Sequence, residues 1–373
     1  MRIQAAVTPA AGADFELTTI DLDAPREDEI LVRVEAVGLC HTDLVAQAGS
    51  WIPLPGVLGH EGAGVVEAVG GRVTKVVPGD RVVLTFRSCG RCRNCNKGLS
   101  AYCHTAQDLN YTGARLDGTT CLSDNGNRIA SNFFAQSSFA THCLTYERNV
   151  VKAPAAVPFE LLAPLGCGVQ TGAGAVLRSL DCEPGSSLLV LGGGAVGLSA
   201  VMAAVLRNCS PLIVVEPHPA RRALALELGA THVLEPAPGR RLPELVRDIS
   251  PIGVDFALDT TGNPEIQQSA MRCLAPHGVL GIVGVPPAGT PIPGDLREAI
   301  AHGHTVKGII EGDSDPDTFL PQLCALLLRN ELPLDQLVRT YALSDINRAA
   351  ADQRRGECVK VVLIPQHRSQ QQC

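Results

Sequence analysis

At 373 residues the chain is too long for one typical core, so two domains are the default. Apolar residues make up 45% and charged residues 18%, the balance of a soluble globular protein. The 31 basic and 38 acidic residues give a net charge of −7, which argues against nucleic acid and anionic membranes as partners, and no apolar run approaches the roughly 20 residues of a membrane helix.

From Met1 to about Ala153 short β-like runs, among them EILVRVEAVG, GAGVVEAVG and DRVVL, are punctuated by Gly and Pro, the pattern of a β-rich domain. Inside this half Cys89, Cys92, Cys95 and Cys103 form C-x₂-C-x₂-C-x₇-C, a spacing that closes four thiolates around one tetrahedral Zn²⁺. Four sulfurs saturate the metal, so this zinc is structural and the chemistry lies elsewhere. The chain starts MRIQAAVTPA, with no apolar leader and no cleavage site, so a disulfide reading of the cluster lacks an oxidising compartment. The remaining cysteines are scattered from Cys40 to Cys373, which suits a reducing cytosol, and a cytoplasmic location is expected.

Beyond Pro184 strands alternate with helical stretches, first SSLLVLGGGAVGLSAVMAAVLRN and then PLIVVEPHPARRALALELGA. That alternation implies βαβ units on a parallel sheet and makes the fold class α/β. Gly229 is placed to close the second helix, VDFALDT and GVLGIVGV read as buried strands, and PEIQQSAMRCL is the helix between them. From about Thr305 the alternation fades into TVKGII, a helix through PDTFLPQLCALLLRN and a last strand CVKVVLI, and the tail HRSQQQC is expected to fray.

Gly192-x-Gly194-x-x-Gly197 follows the apolar strand LLVL and opens an apolar helix, the context a dinucleotide fingerprint needs. The glycines permit the turn and the approach of a pyrophosphate to the backbone, and the helix N-terminus carries a partial positive charge. Glu216 ends the next strand, placed to accept both ribose hydroxyls of NAD and to repel the extra phosphate of NADP; Arg221 and Arg222 slightly blur that preference. Three further segments, GLCHTD, GHEGAG and LGCGVQTG, carry Cys40, His60 and Cys167. Each residue alone is compatible with a plain core position; together they form the Cys₂His set that leaves zinc a fourth position.

With these motifs in this order, completed by VGVPP and a closing basic strand, nearly the whole chain resembles the zinc-dependent medium-chain alcohol dehydrogenases. Within them, SSFATHC and EGDSDPD look most like the aryl-alcohol, or benzyl-alcohol, branch. The resemblance implies a GroES-like catalytic domain at 1–168 and 310–373 and a Rossmann doubly wound cofactor domain at 169–309, with the active site in the cleft. Two zinc ions per chain and NAD are the implied cofactors, and a homodimer or homotetramer is expected. Carried over, Cys40, His60 and Cys167 become catalytic zinc ligands with Glu61 a nearby carboxylate, Asp43 orients the His60 imidazole, and Thr42 accepts the alcohol proton. His41 and Lys360 match pyrophosphate contacts, and Thr171, Val196 and Val283 match positions around the nicotinamide. Many relatives place a relay histidine where this chain has Val45, which puts the later proton path in doubt.

The implied reaction is hydride transfer between a primary aromatic alcohol and NAD⁺. The alternatives are allylic terpenoid alcohols such as geraniol, or a thiol adduct of formaldehyde. From other classes, a zinc-ribbon nucleic-acid module fits only the locally basic CGRCRNCNKG, and a scaffold that had lost catalysis would not need Cys40, Thr42, His60 and Cys167 intact.

Overall fold

A computed structural model of the chain describes residues 1–49, 51–236 and 241–367; the end of the tail, from 368, lies outside the described residues. The chain divides into two compact units. One comprises Met1–Cys167, Asp315–Arg329 and Leu334–Cys373, the other Gly168–Ser314 and Asn330–Pro333. The second unit therefore runs past the expected end at 309, because the left-handed turn at Glu311 and Gly312 is tied to the segment that opens the unit. Glu311 accepts hydrogen bonds from Gln170 (3.0 Å) and Thr171 (3.3 Å), and Ser314 donates to Gln170 (2.9 Å).

The first unit begins with β1 (Arg2–Thr8), β2 (Glu16–Leu22), β3 (Glu29–Leu39), β4 (Gly56–Val57), β5 (Glu61–Val69), β6 (Arg81–Leu84), β7 (Leu122–Asp124), β8 (Asn127–Ile129), β9 (His142–Tyr146) and β10 (Val150–Lys152). The second holds β11 (Leu188–Leu191), β12 (Leu212–Val215), β13 (His232–Leu234), β14 (Val254–Asp259), β15 (Leu274–Ile282) and β16 (Thr305–Gly308). The chain then returns to the first unit with β17 (Val338–Ala342) and β18 (Lys360–Ile364).

In the first unit β4-β1-β2-β7-β8 make one sheet and β10-β6-β5-β3-β18-β17 the other, with β9 also pairing with β3. β3 is nearly continuously apolar because it is covered on both faces and paired along its length, antiparallel to β5, β9 and β18. The core contains Ile20, Ile30, Leu39 and Phe139, all fully buried. Pairing of Val361 with Leu39 brings the end of the chain to the end of β3, where the site is built.

The second unit is a six-stranded parallel sheet in the order β13-β12-β11-β14-β15-β16, the doubly wound arrangement whose order reverses next to β11. Strands here are three to nine residues, and the central β11 and β12 are unbroken apolar sequence buried throughout, as sheets covered by helices on both faces require. Gly229, at φ +105, ends the helix Pro219–Glu227 as expected.

Candidate active site

Cys40 follows β3 in an extended conformation and is the N-cap of the helix His41–Gln47. Asp43, fully buried on the first turn, organises what surrounds it: one oxygen accepts the Cys40 N–H (2.9 Å), the other the Gly59 N–H (3.1 Å) and His60 Nδ1–H (2.8 Å). A single carboxylate thus joins two motifs 16 or more residues apart and fixes the imidazole tautomer that leaves Nε2 free for a ligand role. Nε2 is buried with no hydrogen-bond partner among the described residues.

Cys167 follows the turn Ala163–Gly166, which Thr85 Oγ1 anchors by donating to the Gly166 carbonyl (2.7 Å). The sulfurs of Cys40 and Cys167, a ring nitrogen of His60 and a carboxylate oxygen of Glu61 all lie within 4.8 Å of one another. An orphaned imidazole nitrogen facing two thiols is what an open Cys₂His zinc site requires, so these residues fit the metal. Their electrostatics agree: the Cys40 thiol is held well below the usual range by its hydrogen bond with Cys167 and, against burial, by His60. Burial pushes Glu61 up to about 7, with Lys360 pulling the other way. Glu61 reaches this position because residue 38 is glycine; a Cβ there would stand 2.0 Å from Glu61 Oε2. Lys360, matched above to the cofactor pyrophosphate, is buried, with its ammonium 2.5 Å from Glu61 and 3.2 Å from the Leu39 carbonyl, so its charge is directed to that carboxylate. Thr42 is half-buried beside Cys40, His41 is exposed, and Val45 lies on the same short helix.

Cys89, Cys92, Cys95 and Cys103 converge into a second set, none of them in a disulfide. Cys92 and Cys95 sulfurs are 3.5 Å apart and those of Cys89 and Cys95 4.0 Å, bracketing the separation of about 3.8 Å that a tetrahedron of 2.3 Å Zn–S bonds demands. Backbone N–H groups of Cys89 and Cys92 point at sulfur, as they do toward thiolates. This set fits a closed structural zinc.

In the second unit Gly192 turns the chain out of β11 at φ +102, and Gly194 caps the helix Ala195–Leu206 that carries Val196. A Cβ on Gly197 would sit 1.9 Å from the Gly192 carbonyl oxygen, so the third glycine is needed for the helix to approach the strand. Glu216 lies just after β12, its carboxylate accepting the N–H groups of Gly193 (2.6 Å) and His218 (2.8 Å). Arg222 donates to the Glu216 carbonyl and pairs with Glu235 at 2.8 Å, while Arg221 sits on the first turn of the next helix. Thr171 donates to Glu311, and Val283 follows β15 with its N–H on the Asp259 carbonyl.

Residues 26–155 match the family model for the alcohol dehydrogenase GroES-like domain and residues 195–327 that for the zinc-binding dehydrogenase domain. The chain is 44% identical to geraniol dehydrogenase of Castellaniella defragrans, across 97% of both chains. It is 43% identical to the benzyl alcohol dehydrogenase of Acinetobacter calcoaceticus, whose structure it matches with a TM-score of 0.94 over 98% of this chain and 100% of that one. A zinc-binding-domain alcohol dehydrogenase from Burkholderia ambifaria is 48% identical with a TM-score of 0.96, over the same shares. The chain belongs to the zinc-dependent medium-chain alcohol dehydrogenases. Zinc and a nicotinamide dinucleotide are therefore its cofactors, on a GroES-like unit and a doubly wound unit.

Two features of this alcohol dehydrogenase were not visible in its motifs. The His60 ring stacks on Phe134 (4.4 Å between centroids) and meets Phe133 edge-on (5.6 Å); Phe134 touches Tyr111, which touches Trp51, so an aromatic row leads away from the imidazole. Asp259, fully buried at the end of β14, accepts four hydrogen bonds, from Thr261 (two), Gly262 and Gln267, and shapes the loop beside Val283. The polar triplet DTT after a buried strand was its only signal.

Proposed function

We propose that the protein interconverts primary alcohols bearing a planar unsaturated group, benzyl alcohol first among them, and their aldehydes, using NAD⁺. The observation that carries this reading is the aromatic row from His60 through Phe134 to the half-buried Tyr111 and Trp51, packed beside the metal-ligand set. The likeness to benzyl alcohol dehydrogenase supports it, and the equally close geraniol dehydrogenase makes an allylic terpenoid alcohol the second reading.

Zinc held by Cys40, His60 and Cys167 would supply Lewis-acid polarisation of the alcohol or aldehyde oxygen. Asp43 keeps the His60 imidazole turned with Nε2 outward. Thr42 takes the alcohol proton, and Val45, with no titratable group, cannot pass it on. Glu216 would accept the ribose hydroxyls, the fingerprint turn would receive the pyrophosphate, and Thr171, Val196 and Val283 would pack around the nicotinamide. The buried Lys360 holds Glu61 in place behind the ligands. The exposed apolar residues Val285, Ile292, Leu296 and Ile300 of the cofactor unit support a dimer or tetramer.

The test compares benzyl alcohol, geraniol, ethanol and a secondary alcohol at saturating NAD⁺. Each CH₂-sized increment of buried apolar surface contributes about 0.8 kcal/mol, so ethanol is expected to fall on the order of a hundredfold below the ring-bearing alcohol in kcat/KM. Geraniol in first place selects the second reading; ethanol or the secondary alcohol in first place overturns both.

A further inference from the structure

The segment Asn132–Ser137 is unusual in its backbone: Asn132, Phe134, Ala135 and Ser137 all have φ between +48 and +61, and none is glycine. Such a run costs free energy at each residue and persists only where the surroundings over-determine it. What it presents is the side chain of Gln136, which is buried and uses both ends of its amide. Nε2 donates to the His60 carbonyl at 2.8 Å and to the Thr85 carbonyl at 3.2 Å; Oε1 accepts from the Gly62 N–H at 3.1 Å and from Ser138 Oγ at 2.9 Å. The amide therefore grips the backbone on both sides of Glu61 and ties it to Thr85. Thr85 in turn donates to the carbonyl of Gly166, the residue before Cys167.

We infer that Gln136, acting with Thr85, is a positioning residue for the catalytic metal set: it holds the His60–Gly62 backbone in register with the turn that carries Cys167. A plain structural role would be met by any polar anchor of the loop, and Ser137 is one, accepting from the Phe133 N–H at 3.0 Å and donating to the Val57 carbonyl at 2.7 Å. Gln136 differs because two of its four bonds go to the segment that presents His60 and a third goes to Thr85, whose side chain anchors the turn that presents Cys167. The inference rests on the assignment of Cys40, His60 and Cys167 as catalytic zinc ligands.

The test uses the full-length zinc-loaded enzyme and follows zinc transfer to a chromogenic chelator, with melting temperature and kcat measured alongside. Gln136→Met is expected to release one of two zinc ions at least tenfold faster than the parent, within the range typical of residues that orient metal ligands, while the second ion stays at the parental rate. Kcat should fall and KM for NAD⁺ stay within about twofold. Thr85→Val, which preserves volume, is expected to speed the same ion, and serves if Gln136→Met fails to fold. Ser137→Ala is the control, lowering the melting temperature without selective zinc loss. Release of both ions in parallel with the melting temperature, or equal release in Gln136→Met and Ser137→Ala, overturns the inference. A parent protein holding a single zinc would overturn it by removing the ligand assignment, a result separable from the others by metal analysis alone.

Discussion

Glu216 shows how one side chain is occupied by its own fold before any ligand arrives. Its carboxylate caps Gly193 and His218 N–H groups, so the fingerprint turn and the end of β12 are already fastened around the position where a ribose would be received. Glu216→Ser removes an acceptor whose charge-assisted hydrogen bonds are each worth about 1.5–3 kcal/mol, so kcat/KM with NAD⁺ should fall by roughly 10- to 100-fold. The gain with NADP⁺ should be smaller, because Arg222 is already paired with Glu235 and bound to the Glu216 and Pro217 carbonyls. Adding Glu235→Gln frees that guanidinium, and the double variant should raise NADP⁺ efficiency above the single one. Steady-state kinetics with both cofactors checks this; a double variant no better than Glu216→Ser would mean that Arg222 does not reach the phosphate. At this scale the sequence was most legible where spacing carried the chemistry, as in the Cys₄ set and the glycine turn. Gln136 and Phe134 escaped because their partners lie about 75 residues away and only the fold brings them together.

Among the elements, β3 is held at its start by a buried charge network. Arg115 makes two bonds to the Glu29 carboxylate (2.6 and 2.9 Å) and one to Asp23, while Tyr146 and the Arg26 N–H also donate to Glu29. Burial alone pushes the Glu29 carboxyl up, but the Arg115, Arg26 and Tyr146 contacts outweigh it and leave it below the usual value of 4.5. A carboxyl lowered in the folded state stabilises fully above its unfolded value and loses that contribution as pH falls through the folded one. In Arg115→Met the burial cost of Glu29 loses its main compensation, so acid unfolding should begin at higher pH than in the parent, with a stability loss of about 3 kcal/mol at neutral pH. The lone tryptophan, Trp51, lies in this unit and reports the transition by fluorescence. An unchanged acid midpoint would show the remaining donors to be sufficient. Elements with apolar runs bounded by glycine or turn residues, such as β3, β11 and the helix Ala195–Leu206, could be read from sequence, whereas β17 and the helix Ile346–Arg354 could not. That helix buries Ile346, Ala349, Ala350 and Asp352 within an otherwise polar INRAAADQR, too little apolar contrast to announce itself.

For the whole molecule, the two zinc sites answer different needs. The Cys₄ set occupies 89–103, where the chain forms two three-residue helical turns and no strand, and its hydrogen bonds, such as Asn94 to Tyr102, are local, so the metal carries much of what holds this lobe together. The Cys₂His set is the reverse: β3, β5 and β18 place its backbone, Asp43 and Gln136 hold its ligands, and buried ion pairing of Glu61 with Lys360 fills the space behind. A site pre-organised by its surroundings contributes little to folding through its metal, whereas a lobe that lacks them contributes through metal almost entirely. Metal analysis should therefore find two zinc ions per chain. His60→Ala should abolish turnover and retain one zinc, while Cys95→Ser should lower the melting temperature more and reduce activity only through the fraction unfolded. The decisive measurement sets zinc content, melting temperature and activity of both variants side by side, with activity corrected for folded protein. Equal destabilisation by the two changes would mean that the catalytic set depends on its metal for structure, and one zinc in fully active parent protein would remove the two-site assignment altogether.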